Sequence, residues 1–166
     1  MSLRKEIRVS GSGGQGIILI SKVLAEAAAV YEDLNATQTQ SYGPEARGGS
    51  SRADVIISDE DIDYPKAEHL DVLMSLTQEA CNQYVRDLKP GGILVYSTCT
   101  LNTSENEAVV ANALETLPLE VEQIPLTVPG GLPGFTNGFP RELSRALRIL
   151  PAEDWEGFFV CRMRKK

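Results

Sequence analysis

The sequence predicts an α/β fold in three layers (α/β/α), with a mostly parallel sheet and an antiparallel C-terminal strand. Three observations carry this. Short β-prone runs alternate with longer segments of helical periodicity. The chain opens on a strand, a glycine loop and a helix, the start of a parallel α/β unit. At Leu88-Lys89-Pro90-Gly91-Gly92-Ile93-Leu94-Val95-Tyr96-Ser97 a helix end, a tight turn and a buried strand follow one another. Pro90 lacks the N–H a helix needs, the glycines accept positive φ, and Ile93 to Tyr96 are apolar and strand-prone. A chain of 166 residues suffices for a single domain of this kind, 1–166, and the arrangement is Rossmann-like.

The elements follow in order. Ile7-Arg8-Val9-Ser10 is the first strand and Gly11-Ser12-Gly13-Gly14-Gln15-Gly16 the loop after it. A helix spans about 17–31, and apolar residues nearly surround its first turns, which predicts that it is well buried there. Strands are expected at 35–40, 52–58 and 72–76, with a long loop at 41–51 and an acidic, solvated turn at 59–65. A helix over 78–88 carries the stripe Cys81, Tyr84, Val85 and Leu88. Beyond the Pro-Gly-Gly turn comes the strand 93–97. Ser104-Glu105-Asn106-Glu107 then reads as a capping box opening a helix to about Thr116. A strand over 119–126, an irregular Gly/Pro-rich stretch over 128–140 and a helix over 141–150 follow. The closing strand around 158–161 is expected to pair antiparallel with 119–126.

Composition excludes several classes. Hydrophobic residues make up 42% and charged residues 23% of the chain, as in soluble globular proteins. No apolar run approaches the roughly 18 residues of a membrane span. The net charge is −7 and concentrates in residues 1–88, with 8 Lys/Arg against 14 Asp/Glu, which argues against nucleic acid as a partner. Cys81, Cys99 and Cys161 have no metal-type spacing, so no metal or iron–sulfur cluster is expected in this chain. An odd cysteine count without a secretory signal points to the cytoplasm. The sequence leaves a homo-oligomer open.

Gly11, Gly13 and Gly16 match Gly-x-Gly-x-x-Gly, whose logic is backbone N–H groups at a helix N-terminus facing an anion. Glu32 and Asp33 lie at a sequence distance suited to a ribose contact. One reading is therefore a nucleotide-binding module; another is a glycine turn needed only for tight strand–helix packing.

Residues 5–88 resemble the gamma subunit of 2-oxoacid:ferredoxin oxidoreductases of the 2-oxoglutarate type. The words that carry this are the glycine loop, Thr39-Gln40-Ser41-Tyr42-Gly43-Pro44-Glu45-Ala46-Arg47-Gly48-Gly49, Val55-Ile56-Ile57-Ser58 and Ile62-Asp63-Tyr64-Pro65. The resemblance implies a non-catalytic component of a complex that converts a 2-oxoacid to an acyl-coenzyme A. Thiamine diphosphate and iron–sulfur clusters would sit in alpha and beta partner subunits, and this chain would lie on the coenzyme A side, holding no cofactor tightly by itself. It further implies cofactor-facing roles for Gly11, Gly13, Gly14, Gln15, Gly16, Tyr42, Glu45, Arg47, Gly48 and Gly49.

Residues 89–166 resemble instead the C-terminal part of Sun-type RNA cytosine-5 methyltransferases. The matching words are Lys89-Pro90-Gly91-Gly92, Val95-Tyr96-Ser97-Thr98-Cys99-Thr100, Glu105-Asn106-Glu107-Ala108-Val109-Val110, Arg148-Ile149-Leu150-Pro151 and Glu156-Gly157-Phe158-Phe159-Val160. That resemblance implies Cys99 as a nucleophile toward carbon 6 of cytosine. The family's Pro-Cys pair and methyl-donor half are missing here, so Cys99 is catalytic only if methyl transfer survives. Two resemblances meeting at one helix–turn–strand word imply a recombined chain, a chimera of an oxidoreductase half and a methyltransferase half; an engineered chimera without native activity, a natural fusion and a sequence error are all open readings of its origin. A methyltransferase remnant is the rival reading.

Overall fold

The computed structural model describes residues 2–42 and 49–166, without the side chain of Tyr42. The chain forms two compact units, one up to Gly92 and the other Ile93–Lys166. The boundary falls directly after the Pro-Gly-Gly word. No helix among the described residues is long and apolar enough to cross a membrane.

The first unit holds strands β1 (Arg4–Ser12), β2 (Asn35–Tyr42), β3 (Ser50–Ser58) and β4 (Leu70–Ser75) in the order β2-β3-β1-β4. Helix α1 (Ile17–Glu26) continues as a π-helical turn, Ala27–Tyr31, and α2 (Gln78–Tyr84) continues as a 3-10 turn, Val85–Asp87. β1 and β4 pair in parallel, Val9 beside Met74, as expected of a strand–helix–strand sheet. β3 runs antiparallel to both β1 and β2. The reason is length: seven residues separate β2 from β3, too few for the crossover of a dozen or more that parallel pairing requires.

Alternation along β1 sorts the layers. Val9 and its neighbour Ala53 pack with Ile17 of α1, and Ile18, Ile20, Leu24, Met74 and Leu76 close around them. Arg8 and its neighbour Asp54 point to the other face, where Tyr84 and Asp87 of the α2 segment lie. Helices thus cover both faces of this unit's sheet.

In the second unit β5 (Leu88–Thr98), whose first residues belong to the first unit, pairs antiparallel with β9 (Phe158–Lys165) from Ile93 onward. β6 (Leu119–Glu122) and β8 (Leu147–Ile149) also pair with β9, and β7 (Gly131–Pro133) pairs with β8. Antiparallel pairing of the last strand with 119–122 is as expected. Helix α3 (Glu107–Thr116) buries Val110 and Ala113. Leu94, Tyr96, Val121, Phe159, Cys161 and Met163 form the core, with Tyr96 and Phe159 in an edge contact, centroids 6.5 Å apart.

Four expectations need correction. The word 88–92 is strand rather than turn, and its left-handed bend is confined to Gly91 at φ 76°. No helix spans 141–150: a 3-10 turn at Arg141–Arg145 gives way to β8, because Leu147, Arg148 and Ile149 are taken into the ladder with β9. The capping box does not form. Glu107 is fully buried against Arg148, and Ser104 Oγ donates to Asn102 Oδ1 instead. Finally, the first turns of α1 are less buried than expected, because only one side meets the sheet: Leu19 and Val23 are 66% and 55% exposed.

Candidate functional site

The glycine loop links the end of β1 to the start of α1. Gly14 and Gly16 have φ of 92° and 76°, a region that only glycine enters without strain. Gly11 is needed for space: a Cβ there would collide with Gln15 Oε1 and lie 2.9 Å from Leu76 Cβ. Gln15 staples the loop. Its Oε1 accepts from Ser12 N–H at 2.7 Å, and its Nε2 donates to the Leu76 carbonyl at 3.3 Å. Gly13 N–H donates to the Gly49 carbonyl at 2.9 Å.

That last bond joins the two motifs picked out in the sequence. The register supports it: Tyr42 pairs with Ser51, Ser51 with Gly11, and Ser50 with Ser12. The ends of β1 and β2 and the start of β3 therefore share one edge of the sheet. Glu45, Arg47 and Gly48 lie outside the described residues. Gly14 and Gly16 N–H find no acceptor among the described residues, and α1 begins with no side-chain cap. Among the described residues, the edge thus presents unpaired donors at a helix N-terminus, which suit an anion.

Beside the loop a cleft of about 140 Å³ is lined by Gly11, Ser12, Ser50, Ser51, Thr77, Glu79 and Tyr84, among others. It lies where the parallel neighbours β1 and β4 end and the chain departs to opposite faces, into α1 from one and α2 from the other. Crevices at such a divergence are where open α/β sheets bind ligands.

Arg8 underpins the wall of this cleft. Its guanidinium binds Asp54 through two nitrogens at 2.7 and 2.9 Å, Asp87 at 2.6 Å and the Ala67 carbonyl at 3.2 Å. It also lies 4.9 Å from the centroid of the Tyr84 ring, and Arg52 lies 5.7 Å from it. Burial works against the charge on Arg8, but Asp54 and Asp87 outweigh it and raise its pKa. The sequence reading missed Arg8, Asp54, Thr77, Glu79 and Tyr84 as parts of this site. A signal existed for two of them: Arg8 and Asp54 each interrupt an otherwise apolar run.

Glu32 and Asp33 do not join the site. The ten residues of α1 and the five of its π turn carry the chain roughly 20 Å from the loop, so no ribose contact follows from the glycine pattern.

In the second unit Cys99 is exposed at the end of β5, with no side-chain partner among the described residues. Near it Asn106, fully buried, accepts from Thr98 Oγ1 at 2.5 Å and donates to the Thr100 carbonyl at 2.9 Å. Glu107 Oε1 takes Arg148 Nη1 at 2.6 Å and Phe135 N–H at 3.0 Å, and Arg148 also reaches the Leu101 carbonyl. This network holds the segment after β5 in place. Cys81 and Cys161 are buried; burial pushes the first up to about 11, and burial followed by the Glu107 charge pushes the second up to about 12.

Comparison with known proteins finds relatives of two kinds. A 2-oxoglutarate synthase subunit KorC from Methanothermobacter marburgensis is 58% identical over 93 residues, covering 56% of this chain and 50% of that protein. The chain spans about half the length of the curated relatives it matches first. A ribosomal RNA small subunit methyltransferase F from Shigella flexneri is 51% identical over 82 residues, covering 47% of this chain and 16% of that protein. Among solved structures, a 2-oxoglutarate:ferredoxin oxidoreductase from Magnetococcus marinus, with 2-oxoglutarate, coenzyme A and succinyl-CoA bound, is 31% identical with a TM-score of 0.52, covering 56% of this chain and 16% of that one. The family model for pyruvate ferredoxin/flavodoxin oxidoreductase matches residues 6–138, most of the chain, and the protein belongs to that family.

Proposed function

We propose that this chain is a non-catalytic, gamma-subunit-like component of a 2-oxoacid:ferredoxin oxidoreductase of the 2-oxoglutarate type, and that its glycine-loop edge faces coenzyme A. In such a complex thiamine diphosphate and iron–sulfur clusters, held by alpha and beta partner subunits, supply the oxidative decarboxylation. This chain's own residues bind and orient. The observation that carries the reading is the 2.9 Å bond from Gly13 N–H to the Gly49 carbonyl, which ties the two family motifs into one edge. The unpaired N–H groups of Gly14 and Gly16 suit a phosphate of coenzyme A, and Arg47 adds the charge that would pair with it. The free thiols fit a reducing cytoplasm.

Isothermal titration tests this, with coenzyme A injected into the chain alone and into the chain with alpha and beta subunits. Binding heat in the complex, weakened by Gly14→Val, is expected. No heat in either experiment removes the reading.

A second reading concerns origin. We propose that residues 89–166 derive by recombination from a Sun-type methyltransferase. The support is a relative matched at 51% identity of which the chain covers only 16%, and a unit boundary directly after the shared Pro-Gly-Gly word. Methyl transfer is not expected. Mass spectrometry after incubation with labelled S-adenosylmethionine and RNA checks this, and a transfer abolished by Cys99→Ala would restore the methyltransferase reading. We also propose that the two units unfold as one domain, which calorimetry tests through the number of transitions.

A further inference from the structure

The cleft beside the glycine loop is too small for a whole coenzyme and has the wrong charge for its phosphates. Its volume of about 140 Å³ falls below the roughly 300–1,000 Å³ of pockets that enclose a small-molecule ligand. Among the described residues its one charged lining group is the carboxylate of Glu79, and Ser12, Ser50 and Thr77 bring hydroxyls. Such a lining repels a phosphate and hydrogen-bonds to an uncharged sugar. A positive charge stands at its margin instead. Ser50 and Arg52 lie two residues apart on β3 and so share a face, the one on which Asp54 and Tyr84 meet Arg8. Ser50 and Tyr84 line the cleft, and the Arg52 guanidinium lies 5.7 Å from the centroid of the Tyr84 ring. Arg52 is thus set back from the Ser50 rim by roughly 7 Å along the strand, within reach of so long a side chain.

Arg52 is held in place without being saturated. Its side chain is 37% exposed, it makes no hydrogen bond among the described residues, and its ion-pair partner Asp54 is 3.9 Å away. Asp54 is already neutralised by Arg8, which binds it through two nitrogens at 2.7 and 2.9 Å. Arg8 is engaged and buried there, whereas Arg52 keeps its donors for a ligand. Coenzyme A carries its charge in two places, a diphosphate and a separate phosphate on the adjoining ribose. We infer that Arg52 pairs with the ribose phosphate of coenzyme A and so sets the preference for this coenzyme over nucleotides that lack that group. This inference rests on the function proposed above, in which the N–H groups of Gly14 and Gly16 face the coenzyme's phosphates. With the diphosphate on those groups, the ribose enters the hydroxyl-lined cleft and its phosphate lies at the Arg52 margin. A guanidinium fits a phosphate through two parallel hydrogen bonds, and the Tyr84 ring beneath it limits the orientations it must give up.

The test titrates two ligands, coenzyme A and dephospho-coenzyme A, which differ only in the ribose phosphate. Each is injected into the full chain in complex with alpha and beta subunits, as wild type and as Arg52→Met. The wild type should bind coenzyme A about tenfold or more tightly than the dephospho form. Arg52→Met should bind both alike, with the affinity the wild type shows for the dephospho form, and that unchanged affinity is the control for an intact site. Arg52→Lys keeps the charge without the planar fork and should retain part of the preference. A wild type without preference, or an Arg52→Met variant that keeps the full preference, overturns the inference and leaves the proposed function standing. A variant that loses both ligands equally gives Arg52 a role in the fold alone and also overturns it. A wild-type complex that binds neither ligand overturns the function and this inference with it.

Discussion

Replacing Arg8 by Met probes the cluster beneath the cleft. Arg8 and Asp54 side chains are only 5% and 8% exposed, and the substitution removes one member of a buried pair while leaving the carboxylate in place. Breaking such a pair from one side costs about 3–5 kcal/mol. Arg52, 3.9 Å from Asp54, keeps part of the attraction, so the lower end of that range is expected from the charges. Loss of the cation–π contact with Tyr84 adds about 0.5–1 kcal/mol. The total is about 3–4 kcal/mol, or a fall in midpoint of about 6–16 °C for a chain of this length. Urea unfolding followed by far-ultraviolet circular dichroism reads it, with an unchanged slope as the control that the two states are the same. The double variant Arg8→Met/Asp54→Leu replaces the pair by apolar side chains and should recover most of the loss. A cost below about 1 kcal/mol for the single variant, or a double variant no more stable than the single, would refute a buried pair that depends on both partners.

Other predictions follow from the same structure. Gly11→Ala should destabilise by about 1–3 kcal/mol through its clash with Gln15 and Leu76, and should weaken coenzyme A binding in titration calorimetry. Burial works to raise the Asp71 pKa, but the hydrogen bonds from Lys89, the Glu6 N–H and Lys5 outweigh it and hold the carboxyl below its ordinary value. A depressed carboxyl stabilises the folded state above its unfolded pKa, near 4, and that contribution disappears as pH falls through the folded value. Asp71→Asn should therefore be less stable at pH 7 and lose less than the wild type on acidification, as urea midpoints across the acid range will show. With a thiol reagent at mild alkaline pH, the native chain should react once, at Cys99, since Cys81 and Cys161 are buried with pKa values near 11 and 12. In denaturant all three should react.

Most of the first unit was legible from the sequence. Alternating and apolar runs mark β1, β3 and β4, and the glycines mark the loop, because these elements follow local rules of period and φ. The direction of β3 was less legible, since it depends on how many residues separate it from β2 rather than on any pattern within either strand. The second unit shows where local rules yield. Residues 141–150 have leucines at helical spacing, yet Arg148 is drawn inward to Glu107, and the ladder with β9 overrides the propensity. The capping box fails for the same reason, because Glu107 serves the core and cannot reach back to Ser104. For the site, the sequence supplied the loop but not the wall. Thr77, Glu79 and Tyr84 reach the cleft only because β4 ends beside β1, a long-range fact. The apolar first turns of α1 were read as buried, yet Leu19 and Val23 are exposed, because only one side of the helix meets the sheet.

Backbone amide chemical shifts, followed as coenzyme A is added to the labelled chain in complex with its partner subunits, probe the account most directly. Displacements centred on Gly14, Gly16 and the first residues of α1, with Ile93–Lys166 unchanged, are expected. Shifts that fall in the second unit, or none while the complex turns over, would contradict it.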